Sequence, residues 1–219
     1  MSPNILDTPL ARHAKIEVPL VCGAMYPCSN PELVAAVSDA GGIGIVQPIS
    51  LTYVHGHDFR EGLRLIRRLT TKPIGMNALI EQSSKNYHER MTRWIDIALE
   101  EGVRFFVTSL GNPRWVVDRV SAAGGVVYHD VTERKWAEKG LAGGVQGLIA
   151  VNRAAEQLFG FPPGEMIHVD PAESIPPERA DEERALLDEH IVAYRMDGPL
   201  FFGAAMLEKV FLKIGLSAP

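Results

Sequence analysis

Four times in its first two thirds the chain repeats one local grammar: an amphipathic helical stretch, a glycine, then a short apolar run. The repeats are Leu33–Val46 (LVAAVSDAGGIGIV), Trp94–Thr108 (WIDIALEEGVRFFVT), Trp115–His129 (WVVDRVSAAGGVVYH) and Arg134–Val151 (RKWAEKGLAGGVQGLIAV). A glycine just past a helix end takes the left-handed backbone at little steric cost, so each one marks a stop. The apolar runs that follow are continuous rather than alternating, the pattern of strands buried on both faces. Right-handed strand–helix–strand crossovers then build a parallel sheet.

The same rhythm predicts strands at Ile16–Cys22, Ile43–Gln47, Pro73–Leu79, Arg104–Ser109, Val126–Asp130 and Gly147–Val151. Helices fall between them, near Pro31–Ala40, Phe59–Leu69, Tyr87–Glu100, Pro113–Ala123 and Glu133–Leu141. Their starts are marked by Asn30 before Pro31, an N-cap followed by proline at the first helical position, and by Asp58 with Glu61, close to a capping box. Such dense spacing suits the first six units of a (β/α)8 barrel better than an open sheet. The expected class is therefore α/β, an incomplete or atypically closed TIM-barrel-like fold with an irregular C-terminal extension. The segment Gly41–Gly44 (GGIG) is not a dinucleotide-binding turn. That fingerprint follows a strand and opens a helix, whereas these glycines follow a helix and open a strand.

Composition narrows the class of partner. Hydrophobic residues make up 46% of the 219, enough for a sizeable core, and the formal net charge is −5 with no run of Lys or Arg. That balance argues against nucleic acid or an anionic membrane surface. No apolar run approaches the roughly 20 residues a membrane helix needs, and Met1–Lys15 is polar, without a signal-peptide core. Cys22 and Cys28 are expected as free thiols in a reducing cytoplasm, at a spacing unlike a zinc site. His55 and His57 read either as a metal pair or as a solvated loop, and the loop is preferred.

A parallel barrel carries its site at the carboxyl ends of its strands. Those ends read CGAMYPCSNPE, QPISLTYVHGHD, MNALIEQSS, TSLGNP, YHDVTE and AVNRAAE, rich in small and polar residues. Together PLVCGAMYPCSNPELVAAVSDAGGIGIVQ, KPIGMNAL, VTSLGNP and VVYHDVTERKWAEKGLAGGVQGLIAVN resemble the nitronate monooxygenase family, FMN-dependent (β/α)8 enzymes also called 2-nitropropane dioxygenase-like. The resemblance runs from about Ile16 to Asn152. It implies FMN across the strand ends, a nitronate or nitroalkane as substrate, and O2. It places Ala24 and Met25 beside the flavin ring, Asn77 as a flavin-binding amide, and Ser109 and Gly111 in the next loop. His129 and Asp130 face the same rim, His129 as the candidate catalytic residue and Asp130 among the cofactor-binding ones. Read without the resemblance, Met25 is core packing, Asn77 ends a strand, and His129 is a hydrogen-bonded structural histidine.

The resemblance also has a break. After the sixth strand the family runs through Ala-Gly-Gly-His, whose His abstracts the α-proton of a nitroalkane; this chain has Arg153, Ala154, Ala155 and Glu156 instead. The implied activity therefore favours nitronates, which are already deprotonated. Beyond Val151, VNRAAEQLFGFPPGEMI resembles the sensory PAS family, and His190–Lys213 resembles part of a STAS domain, with a hairpin signal at Asp197–Gly198. The expected division is residues 1–152 as flavin-barrel units and 153–219 as an appended segment. Two apolar sheet edges would then need the tail or a second copy, as a homodimer, to cover them. Three readings stand: an FMN-dependent oxidoreductase (flavin barrels that reduce enoyl thioesters are a variant), a non-enzymatic sensing or interaction protein, and an inactive mosaic.

Overall fold

The computed structural model describes residues 6–81, 84–151 and 191–193. Its parallel strands are β1 (Val21–Cys22), β2 (Ile43–Val46), β3 (Ile74–Leu79), β4 (Phe105–Ser109), β5 (Val126–Val131), β6 (Gly147–Ala150) and β7 (Ile191–Ala193). Every strand pairs with its neighbours in sequence, in the order β1 to β7, and all pairs are parallel. The helices between them are α2 (Pro31–Asp39), α3 (Phe59–Leu69), α4 (Lys85–Glu100), α5 (Arg114–Ala122) and α6 (Arg134–Ala142), with α1 (Pro9–Ala14) ahead of β1. An unbroken sequential order is the signature of a singly wound barrel rather than a doubly wound sheet. Six of the strands form a curled half-barrel with helices alternating between them.

The local signals act as their residue types dictate. Asn30 Oδ1 accepts the Leu33 N–H at 2.8 Å, and Asp58 Oδ1 accepts those of Arg60 and Glu61 at 3.0 and 3.2 Å. The glycines after α2, α4, α5 and α6 (Gly41, Gly102, Gly124 and Gly144) all have φ between 73° and 93°. The basic face of α3 is tied down: Arg60 and Arg64 pair with Glu100 and Glu101 at the end of α4.

Pleating sorts the strand residues onto two faces. The outer face, with Val46, Ile74, Met76, Phe106, Val127 and Leu148, packs against the helices. The inner face carries Val21, Ile43, Ile45, Phe105, Val107, Tyr128 and Ile149, joined by Leu10 and Ala14 of α1. Helix α1 thus lies among the inner-face residues, and the Tyr128 hydroxyl meets His13 Nδ1 at 3.1 Å.

Three features depart from the sequence expectation. Helix α1 stands where the sequence pattern predicts no element, although Thr8 caps it through the Ala11 N–H and Pro9 opens it. The first strand shrinks to Val21–Cys22, because the Glu17 and Val18 N–H groups both bond to the Gly41 carbonyl rather than to a ladder. Ile191–Ala193 joins β6 as a seventh parallel strand, so this part of the tail occupies a barrel position instead of only covering an edge. Parallel pairing wins there because it satisfies the open backbone groups of β6 in the register the sheet already has. The PAS-like stretch, the hairpin at Asp197–Gly198 and Arg153–Glu156 lie outside the described residues. Cys22 and Cys28 are both free thiols. Among the described residues no helix is long and apolar enough to cross a membrane, and no group of three or more His, Cys, Asp or Glu could hold a metal.

Candidate active site

At the carboxyl ends of the strands the inner face opens into a cavity of about 380 Å³. Its floor is apolar, made by Val21, Ile45, Val107 and Ile149 at the top of the inner core. One pleat further on, the alternation that points Ile45, Gly75, Val107 and Tyr128 inward presents Gln47, Asn77, Ser109 and Asp130. All four line the cavity. The loop after β1 closes another side with Gly23, Ala24, Met25 and Tyr26. That loop is held by a reciprocal pair: the Met25 N–H donates to Ser29 Oγ and the Ser29 N–H to the Met25 carbonyl, both at 2.8 Å. His55 reaches across from the next loop, with Nε2 3.1 Å from the Pro27 carbonyl oxygen. It therefore ties two rim loops together.

Three rim side chains have hydrogen-bonding capacity that no described residue uses. Gln47 Oε1 accepts the Ile49 N–H at 3.1 Å, which leaves its amide nitrogen as a donor on the cavity side. Asn77 is 8% exposed, yet its amide bonds to no described residue. The half-buried Asp130 carboxylate also has neither donor nor cation beside it among the described residues. Burial pushes its pKa from 3.8 up to about 7, with no opposing charge to bring it back. Hydrogen-bonding groups left open around one apolar-floored cavity are the usual make-up of a small-molecule pocket.

A second cavity of about 980 Å³ adjoins the first, sharing Ser109, Asp130 and Val151 with it. Gly111, His129, Arg114, Trp136 and Lys139 also line it. Gly111 has φ 155°, and a Cβ there would stand 2.7 Å from the Ile80 carbonyl oxygen. Crowding by the neighbouring loop is thus sufficient reason for glycine at this position. Leu110 beside it is left-handed (φ 63°) and exposed.

His129 is set apart from the rest. It sits on the outer face of β5 and packs on α6, where a Cβ on Gly140 would lie 3.3 Å from its Cδ2. Its Nδ1 is 2.8 Å from Thr108 Oγ1, which is also 3.2 Å from the Tyr128 carbonyl oxygen. With the Thr108 hydroxyl donating to that carbonyl, Nδ1–H donates to Thr108 in turn. Burial lowers the His129 pKa to about 4, so the ring is neutral.

The structure thus brings Ala24, Met25, Asn77, Ser109 and Asp130 to one cavity and places Gly111 and His129 at its neighbour. Gln47 belongs with the first group, although the sequence pattern does not single it out. Its signal is its place at the end of β2, level with Asn77.

The chain is 28% identical over 146 residues to a (3aS,4S,5R,7aS)-5-hydroxy-7a-methyl-1-oxo-octahydro-1H-indene-4-carboxyl-CoA dehydrogenase of Rhodococcus jostii, covering 67% of this chain and 39% of that protein. It is 33% identical over 81 residues to a nitronate monooxygenase of Pseudomonas aeruginosa, 37% of this chain and 22% of the relative. The chain spans about two fifths of the length of the first of these and of its Mycobacterium tuberculosis counterpart, at 39% and 38%. FabK from Thermotoga maritima shares the fold with a TM-score of 0.59 at 20% identity, over 87% of this chain and 61% of that one. Nitroalkane oxidase from Streptomyces ansochromogenes does so with a TM-score of 0.59 at 19% identity, over 85% and 60%. The profile of the nitronate monooxygenase family matches residues 7–151, which is every described strand but the last, and the chain belongs to that family.

Proposed function

We propose that the chain carries the ring-binding part of an FMN-dependent oxidoreductase that oxidises nitronates, and nitroalkanes with them, using O2. The observation that carries this reading is the convergence of Gln47, Asn77 and Asp130, each with unused hydrogen-bonding capacity, on a cavity with an apolar floor. A flavin ring is a flat apolar body edged with nitrogen and oxygen, and these residues fit it. Asn77 and Gln47 would hold the polar edge, since an amide offers a donor and an acceptor at once. Ala24 and Met25 would line one side of the ring, with Ser109 and Gly111 in the adjoining loop. When bound there the flavin supplies the two-electron oxidation. The chain's own contribution is to exclude water through Ile45, Val107 and Ile149 and to orient the ring through the rim amides.

The phosphate is a separate matter. Among the described residues no Lys or Arg lines the smaller cavity. Barrels commonly hold phosphate on backbone N–H groups after strands seven and eight, beyond the described residues here. The test is direct: purified protein titrated with FMN gains a flavin absorption band with quenched fluorescence, and consumes O2 when a nitronate is added. Protein that stays colourless after reconstitution, and takes up no O2, refutes the reading.

A second reading has one observation in its favour. The Rhodococcus jostii relative is named for a carboxyl-CoA substrate, and the larger cavity is bordered by Arg114 and Lys139. Anaerobic bleaching of the flavin by a CoA thioester, with none by a nitronate, would favour a dehydrogenase acting on such esters.

A further inference from the structure

We propose that Asp130 is the group that takes the α-proton from a neutral nitroalkane at this site. The inference rests on the functional reading above and adds a step that the sequence left without a residue, since Arg153–Glu156 stand where the family has its His.

The geometry singles out this carboxylate. Among the described residues Asp130 is the one acidic side chain that lines either cavity, and it lines both, where they meet. No described residue donates a hydrogen bond to it or pairs with it, so its oxygens are open to a ligand. His129, next in the chain, points to the opposite face of the sheet and is engaged by Thr108. The charged and titratable groups around Asp130 are Arg114 from α5, Lys139 from α6, His129 on its own strand and Tyr26 from the loop after β1. None of them contributes to its displaced titration, whose cause is burial alone. A carboxylate so placed titrates near neutrality, the range in which a general base is most effective.

The step balances without an oxidant. An Asp130 carboxylate oxygen forms an O–H bond to the α-proton as the C–H bond breaks. The C–H electron pair becomes the C=N bond, and an N=O pair moves onto oxygen, giving the nitronate. With the Gln47 and Asn77 amides on the flavin edge, the Ser109 hydroxyl lies on the same rim as a donor for that charge. The proton then passes from Asp130 to water at the cavity mouth. Below the Asp130 pKa only nitronates should react, and above it nitroalkanes should join them. The preference expected from the missing His thereby becomes a function of pH.

The experiment follows exchange of the α-hydrogens of nitroethane for deuterium in D2O by proton NMR, with the FMN-reconstituted full chain. Exchange above the buffer rate is expected, rising through a single inflection near neutral pD. Asp130→Asn should lower it about 100-fold, the usual size of a general-base contribution, while Asp130→Glu, which keeps a carboxyl, should restore part of it. Flavin absorption and a cooperative urea transition confirm that each variant is folded. Exchange undiminished in Asp130→Asn overturns the proposal. So does wild-type protein that shows no protein-dependent exchange, or exchange without the inflection, and these need no variant. Because exchange requires neither electron transfer nor O2, failure of the flavin reading is told apart by the absent flavin band. Failure of the Asp130 proposal leaves that band, and oxidation of preformed nitronate, in place.

Discussion

Replacing Asp130 by Asn should make the folded chain more stable at alkaline pH and leave it unchanged in acid. The carboxyl has a pKa of 3.8 when free and about 7 in the fold, raised by burial. Between those values the folded state binds more protons than the unfolded one, so stability falls as pH rises through this window. Moving a pKa by one corresponds to about 1.4 kcal/mol, which gives about 4 kcal/mol as an upper bound above pH 7. Asp130 is half-buried at a cavity mouth, and solvent access reduces this to on the order of 2 kcal/mol. An amide at this position has no charge to desolvate, so the variant escapes the penalty. His129 acts with the opposite sign. Its pKa falls from 6.5 to about 4 on folding, so the unfolded state binds more protons there and stability is lost as pH falls below 6.5. The two slopes oppose each other in the wild type, giving a shallow profile from pH 4 to 6.5. In Asp130→Asn the His129 slope stands alone and stability climbs with pH. Urea unfolding at pH 4, 6 and 8 reads this directly. With a slope of about 1–3 kcal/mol per molar urea, a gain of about 1 M in the midpoint at pH 8 and none at pH 4 is expected. A variant no more stable than wild type at pH 8, or one with the same gain at every pH, would refute the argument that this carboxylate is buried without a partner.

Asn77→Ala should weaken FMN binding by about tenfold, the scale of one or two neutral hydrogen bonds, with the urea midpoint unmoved; fluorescence titration measures it. Thr108→Val strands His129 Nδ1 in the interior and should cost about 1–3 kcal/mol of stability while FMN affinity holds, because neither residue lines the smaller cavity. Gly44→Ala would drive a Cβ into the Val34 carbonyl group, forcing α2 off the sheet at about 3 kcal/mol, read from the urea midpoint. Gly23→Ala, with no atom within 4 Å, should leave that midpoint alone.

Periodicity determined the sheet. Glycines after α2, α4, α5 and α6 stop each helix for a local steric reason that needs no knowledge of the rest of the molecule, and the apolar runs after them have one way to bury both faces. The rim segments were legible for the same reason, since strand ends follow from strand positions, and the family resemblance picked Ala24, Met25, Asn77 and Ser109 out of them. Sequence did not decide which of two adjacent residues lines the smaller cavity. His129 and Asp130 both end β5, and the residue type favours histidine as the base. Pleating decides the direction, because Val107 and Tyr128 point inward, and this register turns His129 onto Thr108 and α6 and leaves Asp130 lining the smaller cavity. Glycine at 111 likewise needed tertiary structure, since the crowding atom belongs to Ile80, far back along the chain. Helix α1 escaped the pattern because it is too short to show a period, while the strand signalled at the start of His190–Lys213 was expected in a hairpin and its parallel pairing with β6 is decided by the open edge there. Local sterics write the strand order into the sequence, but the direction a side chain points depends on a register that only paired strands possess.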